Sequence, residues 1–329
     1  MSHTSSWSYT DNEFGPHTWQ DRYKVAEGNL QSPINIDTEA AKGDTIVEAI
    51  KFNYLPMKNS TITNDGRHLQ ITLSRNDSVI TGGPLTDTYQ LAIIRFRWGH
   101  DNNSGSEHAI NDQNYPLEVQ LIHWNKKLYK NIGEAMGGEN GLCIIGLLYQ
   151  VSDDDNEGLL PVIKLLSREE NKGCFSLEVK STIDPTCFIK DMTSYWTYQG
   201  SLTTPPMSEN VTWIISESIM KISEKQLSAF RNVRNSCGEL MAGHCRPLCP
   251  LNGRPVRLCV MNNNNNIEDH QENDDILAKD CDDDKENEIL DENANHNCDD
   301  NGPDGTDKGY FEDIYKLEAM GDHVDLEAH

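Results

Sequence analysis

Short apolar and alternating segments, separated by turn residues, fill the chain as far as about residue 261. The clearest of them cover residues 46–52, 68–74, 90–98, 117–124 and 142–151. Several alternate apolar and polar residues, which is the pattern of a strand with one buried face. Residues 143–149 are continuously apolar, as a strand buried on both faces would be. The pattern therefore predicts a large, mostly β domain.

The sequence also contains turn residues between the strand-like segments and two helical patterns. The strand-like segments are separated by Asn64-Asp65-Gly66, Gly82-Gly83-Pro84 and Asn102-Asn103-Ser104-Gly105. Helices are predicted only over 161–170 and 223–233. In the second, apolar residues recur every three positions and Ser223 stands where an N-cap is needed.

Charge divides the chain into a body over 1–261 and a tail over 262–329. The tail holds 4 of the 28 basic residues and 23 of the 53 acidic ones. This Asn/Asp/Glu-rich composition buries too little apolar surface to offset chain entropy, so it predicts a disordered tail. Residues 310–320 could form a short docking helix within it. The acidic residues of the tail do not match the ligand spacing of a specific calcium-binding loop, because Phe311 stands where the closing Glu is required. Only weak calcium binding is therefore expected.

Several classes of function and location are disfavoured. The net charge of −25 repels nucleic acid and anionic membranes, and no apolar run is long enough to cross a bilayer. The start of the chain lacks the apolar core of a signal peptide, which favours the cytoplasm. Nine cysteines cannot all pair internally. Those between Cys237 and Cys259 could form a local bridge in an oxidising compartment or remain reduced thiols in the cytosol.

A series of motifs across about residues 7–259 resembles the α-carbonic anhydrase family in order and spacing. They are Gln31-Ser32-Pro33-Ile34-Asn35-Ile36, Gly82-Gly83-Pro84-Leu85, Ile94-Arg95-Phe96-Arg97-Trp98-Gly99, Gly105-Ser106-Glu107-His108, residues 117–125, residues 195–206 and Val211-Thr212-Trp213. The resemblance implies a large, twisted, predominantly antiparallel central sheet with a few short helices.

The resemblance also implies a zinc ion held by three histidines, two of them alternating on one strand and the third on its neighbour. The matching positions here are Arg95, Arg97 and Gln120. Arginine offers no lone pair, and its charge repels a metal cation. The position of the polar partner of the first ligand matches Ile93, and that of the proton-shuttle histidine matches Arg67, next to His68. No metal and no cofactor is therefore predicted.

Other positions of the family's site are retained. By resemblance, Glu107 and Thr203 match the pair that orients the zinc-bound nucleophile, and Glu118 matches the carboxylate that supports the third ligand. Thr203, Thr204, Glu107 and Arg67 are interpreted as vestiges of the catalytic machinery. The wall of the substrate pocket matches Ile122, Ile144, Leu202, Val211 and Trp213. These residues could maintain the fold or line a small-ligand pocket. Arg95 and Arg97 are expected to face Glu107 and Glu118 as a buried charge cluster.

The sequence is most similar in pattern to the non-catalytic carbonic anhydrase-related proteins of the intracellular, inositol-trisphosphate-receptor-binding type. That similarity implies a pseudoenzyme that binds a protein partner, such as an ion channel or receptor. Two alternatives stay open. One is a hydratase with residual activity or a relocated metal near His100 and His108, and the other is a secreted, acidic, mineral-associated matrix protein, suggested by the composition of the tail.

Overall fold

A computed structural model of the chain describes residues 7–10, 13–46, 49–58, 60–73, 77–168 and 173–261. The predicted tail over 262–329, with its short helix over 310–320, lies outside the described residues. The domain boundary at residue 261 and weak calcium binding by the tail therefore stay predictions.

Most regular elements of the described residues are strands. The strands are β1 (Asn35–Ile36), β2 (Lys42–Ile46), β3 (Lys51–Asn53), β4 (Ser60–Asn64), β5 (Leu69–Thr72), β6 (Val79–Thr81), β7 (Tyr89–Trp98), β8 (Ala109–Ile110), β9 (Leu117–Asn125), β10 (Leu142–Ser152), β11 (Phe175–Val179), β12 (Ser194–Gly200), β13 (Val211–Ser216), β14 (Met220–Ser223) and β15 (Arg257–Met261). The α-helices are α1 (Trp19–Arg22), α2 (Ile132–Gly137), α3 (Leu160–Leu166) and α4 (Glu224–Arg231).

One large sheet organises the fold. Within the described residues it contains thirteen strands, and its main path runs β11-β4-β5-β7-β9-β10-β13-β12-β15-β2. Most neighbours are antiparallel, but β10 pairs in parallel with β13 and β14, and β15 pairs in parallel with β2. A separate parallel pair joins β1 and β8. The prediction of a mostly β fold with a large sheet and a few short helices is confirmed.

The central strands β7 and β9 have two different faces, because successive side chains of a strand point to opposite sides. The apolar face carries Ile94 and Phe96 of β7 and Leu121 of β9, which all belong to one buried cluster. The polar face carries the intervening residues. They are Arg95, Arg97, Glu118 and Gln120, and each is buried. Two neighbouring strands of the sheet thus position four polar side chains inside the protein.

The predicted helix over 223–233 corresponds to α4 (Glu224–Arg231). Ser223 is its N-cap, as expected, and forms a reciprocal capping box with Gln226. Leu227 and Phe230 are buried against the apolar face of the sheet. The spacing of apolar residues and the capping residue therefore identified this helix and its start.

The helix predicted over 161–170 is α3, which ends at Leu166, and residues 169–170 lie outside the described residues. The Ser167 hydroxyl donates to the carbonyl of Ile163 at 2.8 Å, a local bond that competes with helix continuation. The helices α1 and α2 were missed, since four and six residues give no readable helical period. The predicted strand over 46–52 was also wrong, because β2 and β3 are separate strands that pair with β15 and β6.

Two further expectations concern the membrane and the cysteines. No helix among the described residues is long and apolar enough to span a membrane. No disulfide joins Cys237, Cys245, Cys249 and Cys259 in the part of the chain that the structure describes. Whether these cysteines are bridged in an oxidising compartment stays a prediction.

Candidate functional site

The polar face of β7 and β9 brings together the three positions that the motifs single out. Arg95 lies directly opposite Gln120 in the antiparallel register, and Arg97 lies opposite Glu118. Arg95 and Arg97 are two residues apart on β7, so they share one face. The three side chains at positions 95, 97 and 120 are 2–6% exposed. The strand geometry therefore places them in one buried site.

Gln120 joins the two carboxylates of the site. Its Nε2 donates to Glu107 Oε2 at 2.8 Å and to Glu118 Oε1 at 3.0 Å. Both amide hydrogens are therefore used within this network. A neutral side chain that satisfies two buried carboxylates in this way removes much of their desolvation cost.

Glu118 is held by hydrogen bonds on both oxygens. Its Oε2 accepts from the backbone N–H groups of Glu107 and His108 at 2.8 and 2.9 Å. Its Oε1 lies 3.0 Å from Nδ1 of the His108 ring. Burial would raise the pKa of the Glu118 carboxyl, but His108 and the hydrogen bonds outweigh burial and lower that pKa below its usual value. The carboxylate form of Glu118 is thus stabilised by its surroundings.

His108 belongs to the same hydrogen-bond network. Its Nε2 is 2.7 Å from the Tyr198 hydroxyl, which donates to Ser32 Oγ at 2.9 Å. The chain of bonds continues into the cis Ser32-Pro33 segment of the predicted Gln-Ser-Pro-Ile motif. The motif residues therefore contact one another through buried polar groups.

Glu107 accepts several hydrogen bonds. Its Oε2 accepts from Thr203 Oγ1 at 2.7 Å as well as from Gln120, and its Oε1 accepts from the backbone N–H of Arg246 at 3.3 Å. Arg97 Nε lies 3.5 Å from Oε2 as an ion pair. Glu107 and Thr203, which the motifs identified as a pair, are therefore in direct contact.

The two arginines have different hydrogen-bonding neighbours, and the expected pairing with Glu107 is seen for Arg97. Arg97 pairs with Glu107, whereas Arg95 donates through Nε and Nη2 to Gln70 Oε1 at 3.0 and 2.8 Å. The reason is register, since Gln70 of β5 lies directly across from Arg95. Burial would lower the pKa of Arg97, but Tyr9 and Glu107 raise it above its usual value. The Arg97 guanidinium is thus charged.

The predicted pocket wall lies beside this network. A cavity of about 20 Å³ is lined by Ile93, Arg95, Ile122, Ile132, Met136, Leu142, Leu202, Thr204 and Pro205. This volume accommodates about one water molecule. Ile144, Val211 and Trp213 are buried in the same apolar cluster as Ile122 and Leu202, but they do not line the cavity.

An aromatic cluster of Trp7, Tyr9, His68 and His244 packs against Arg97. Tyr9 stacks on His244 with ring centroids 5.1 Å apart, and Trp7 lies 5.5 Å from both Tyr9 and His68. The Cζ of Arg97 is 5.3 Å from the centre of the Tyr9 ring. Arg67, at the predicted shuttle position, lies 4.4 Å over Trp7. The shuttle position therefore contacts an aromatic ring.

The sequence-based reasoning missed Tyr9, Gln70 and His244. Tyr9 belongs to a Trp-Ser-Tyr segment that was considered only as the start of the chain. Gln70 could have been found by pairing the predicted strands over 68–74 and 90–98, because a polar residue on a buried strand needs a partner. His244 lies in a loop, and no pattern in the sequence signals its position.

Comparison with known proteins agrees with this geometry. A sequence model described as eukaryotic-type carbonic anhydrase matches residues 14–260, which is most of the chain. The chain belongs to the eukaryotic-type carbonic anhydrase family. Mouse carbonic anhydrase 1 is 37% identical over 261 residues, which cover 77% of this chain and 98% of that protein. Carbonic anhydrase 7 is 34% identical in both mouse and human and is covered over 96% and 98% of its length.

The side chains of this carbonic anhydrase-like site do not fit a zinc ion. The positions that the family resemblance assigns to the ligands hold two guanidinium groups and an amide whose N–H groups face the carboxylates. None of these is the neutral imidazole that such a site requires. Within the described residues, no group of three or more His, Cys, Asp or Glu side chains could hold a metal ion. The ring of His108 instead contacts Glu118 and the hydroxyl of Tyr198.

Proposed function

We propose that this member of the carbonic anhydrase family is catalytically silent and serves as a protein-binding module. The observation that carries the proposal is the hydrogen-bonded network of Arg97, Gln120, Glu107 and Glu118 at the positions of the zinc site. The amide of Gln120 is committed to two carboxylates, and the guanidinium of Arg97 is paired with one of them. Metal binding would require breaking this network.

Electrostatics supports the same conclusion. Hydration of CO2 by this family depends on a metal-bound water whose pKa falls to about 7. A guanidinium beside a divalent cation adds a repulsion of about 8 kcal/mol at a separation of about 4 Å and an effective dielectric constant of about 20. Gln120 alone offers one weak oxygen ligand, which does not offset that cost.

The surface offers a region for a protein partner. A groove of about 440 Å³ lies between residues 16–31 and residues 246–252, and its lining includes Pro247, Leu248 and Pro250. Leu248, which lines this groove, is 44% exposed. An apolar side chain exposed in a groove offers a contact point for a partner. The resemblance to receptor-binding relatives suggests an ion channel or receptor in the cytoplasm as the partner.

The decisive experiment measures zinc and CO2 hydration on one preparation of the full chain. We expect substoichiometric zinc and no hydration above the rate in buffer. The alternative is a working hydratase, which the names of the similar mouse and human proteins favour. Stoichiometric zinc together with sulfonamide-sensitive hydration would overturn the proposal in favour of that alternative.

A reversion experiment tests whether the side chains at three positions are the cause. The triple variant Arg95→His, Arg97→His and Gln120→His should gain stoichiometric zinc, because Glu107, Glu118 and Thr203 keep their positions. The matched control is Arg231→His with Arg234→His and Gln199→His, at positions outside the site. A folded triple variant that takes up no more zinc than this control would contradict the role assigned to the three positions.

Binding of a partner is tested on the groove surface. Co-purification from native tissue should identify a partner, and Leu248→Glu should weaken its binding. Leu128→Glu is the matched control, because Leu128 is 53% exposed and does not line the groove. Equal binding by both variants would exclude this groove as the interface.

A further inference from the structure

A groove between α3 and β11 combines apolar side chains with positive charge. Its volume is about 400 Å³, and its lining includes Leu165, Leu177, Lys164, Arg168 and Lys180. The two leucines are half-buried, whereas the three cations are exposed. The groove therefore offers apolar contact area together with three exposed cations.

The cations of this groove are available to an acidic occupant. Glu178 also lines the groove. In the part of the chain that the structure describes, none of Lys164, Arg168 and Lys180 forms an ion pair. The whole chain has a net charge of −25, so a local excess of positive charge is unusual in it. Charge complementarity favours an occupant that is acidic, and the leucines favour one that is also apolar.

Residues 310–320 of the tail have this composition. They hold all three aromatic residues of the stretch 262–329. Apolar residues recur at positions 310, 314 and 317, which is the spacing of one helical face. The charged residues of the segment are Glu312, Asp313, Lys316 and Glu318. The segment therefore matches the groove both in apolar character and in charge.

The chain is long enough to bring this segment to the groove. The last described residue, Met261, ends β15, which lies eight strands away from β11 along the path of the large sheet. At about 4.8 Å per strand, that path measures about 38 Å. The stretch 262–309 contains 48 residues, and a flexible chain of that length spans about 40 Å on average. The mean span of such a chain thus matches the distance to be covered.

This match favours docking within one molecule. When the span of a linker equals the distance between two sites, the effective concentration of the tethered segment is highest and reaches about 1 mM. A contact with a dissociation constant of about 0.1 mM is then occupied about nine-tenths of the time. An interaction too weak to join two separate proteins at micromolar concentration therefore suffices within this chain.

We propose that residues 310–320 dock in the groove of Lys164, Arg168 and Lys180 of the same molecule. The apolar residues of the segment cover the leucines, and its carboxylates face the three cations. This groove shares no lining residue with the groove that contains Leu248. The docking surface is thus separate from the proposed partner surface, and the inference does not depend on whether the protein binds zinc.

Hydrogen exchange of the full chain tests whether residues 310–320 are bound. Their backbone amides should exchange about tenfold more slowly than those of an unbound chain, as the occupancy of about nine-tenths requires. Leu317→Glu should remove this protection, because it places a carboxylate among the apolar residues of the segment. Leu326→Glu is the matched control, since it makes the same change in the tail outside the segment. Unbound rates in the wild-type chain, or equal protection in the two variants, would overturn the proposal.

Charge reversal in the groove tests where the segment binds. Lys164→Glu with Lys180→Glu should abolish the protection. The matched control is Lys126→Glu with Lys130→Glu, which reverses two exposed lysines outside the groove and should retain it. A salt concentration of about 1 M should weaken docking in the wild-type chain, because it screens the ion pairs. Protection that survives reversal at positions 164 and 180 would exclude this groove as the site.

Cross-linking distinguishes one molecule from two. A carbodiimide joins carboxylates to lysines without a spacer, and it is applied to a mixture of isotopically labelled and unlabelled full chains. Lys164 and Lys180 should be linked to residues 310–320 of the same chain. Links between labelled and unlabelled chains would show that the segment of a second copy occupies the groove, and would overturn docking within one molecule.

Discussion

The apolar and polar faces of β7 and β9 come from the same two strands, yet different interactions stabilise them. Ile94, Phe96 and Leu121 on the apolar face need only neighbours of suitable volume. Arg97 and Gln120 on the polar face need particular partners at particular distances. A side chain on the apolar face can therefore be exchanged for a similar one, whereas a change on the polar face leaves other groups unsatisfied.

The largest effect is expected on the apolar face. Phe96→Ala removes a ring that is 1% exposed and packs against Phe188 and Phe230. The loss of buried area and the resulting cavity should lower the free energy of unfolding by about 4 kcal/mol. Urea denaturation measures this value, with the exposed Leu128→Ala as the control. A loss below that of the control would show that this face is not the main core.

A somewhat smaller effect is expected on the polar face. Arg97→Met should lower the free energy of unfolding by about 3 kcal/mol, because Glu107 remains buried as a charge without its cation. Unlike Phe96→Ala, this loss should be partly reversed by a second change. The double variant Arg97→Met with Glu107→Gln should be more stable than the single variant in urea. Additive losses in the double variant would contradict the pairing.

Mild acid should lower the free energy of unfolding, because histidines on both faces of the sheet are buried. Burial lowers the pKa of His123 to about 3, and burial and the charge of Arg95 lower the pKa of His68 to about 3. The unfolded chain, with a histidine pKa of about 6.5, therefore takes up protons before the folded protein does. The contribution of each histidine to the free energy of unfolding is fully present above about pH 6.5. It falls by about 1.4 kcal/mol per pH unit as the pH drops toward 3.

His68→Gln should reduce this acid slope, and the exposed His17→Gln should leave it unchanged. Urea unfolding at several pH values between neutrality and mild acid gives the slope for each variant. An identical slope in the wild-type chain and in His68→Gln would show that His68 titrates normally in the folded protein.

The smallest effect is expected from a conservative change on the apolar face. Ile94→Val removes one methylene from a fully buried side chain and should cost about 1 kcal/mol. On the polar face, Gln120→Glu is of similar size to the wild-type residue but places a third carboxylate beside Glu107 and Glu118. Urea denaturation compares the two variants, and Ile94→Val should be the more stable of them. Equal stability would contradict the difference in tolerance to conservative changes between the apolar and polar faces.

The alternation of apolar and polar residues was enough to predict the strands that form the site. It placed residues 95 and 97 on one face, and the motifs related them to position 120. The capping residue Ser223 located the start of α4 for a similar reason, since its signal is local in sequence. Predictions based on local periodicity or on an ordered series of motifs were therefore the reliable ones.

Side-chain contacts between different strands could not be predicted from such patterns. The contact between Arg95 and Gln70 depends on the register of β5 and β7, which no single segment encodes. The packing of Tyr9 on His244 joins residues more than two hundred positions apart. The expectation that both arginines would face carboxylates was incomplete for the same reason, because charge alone does not determine which neighbour a side chain meets.

The double hydrogen bond of Gln120 has an evolutionary consequence. A different side chain introduced at position 120 alone would lose the contacts to Glu107 and Glu118. Selection for a stable fold would therefore oppose single substitutions at this position. Residues 107, 118 and 120 are expected to change together or not at all.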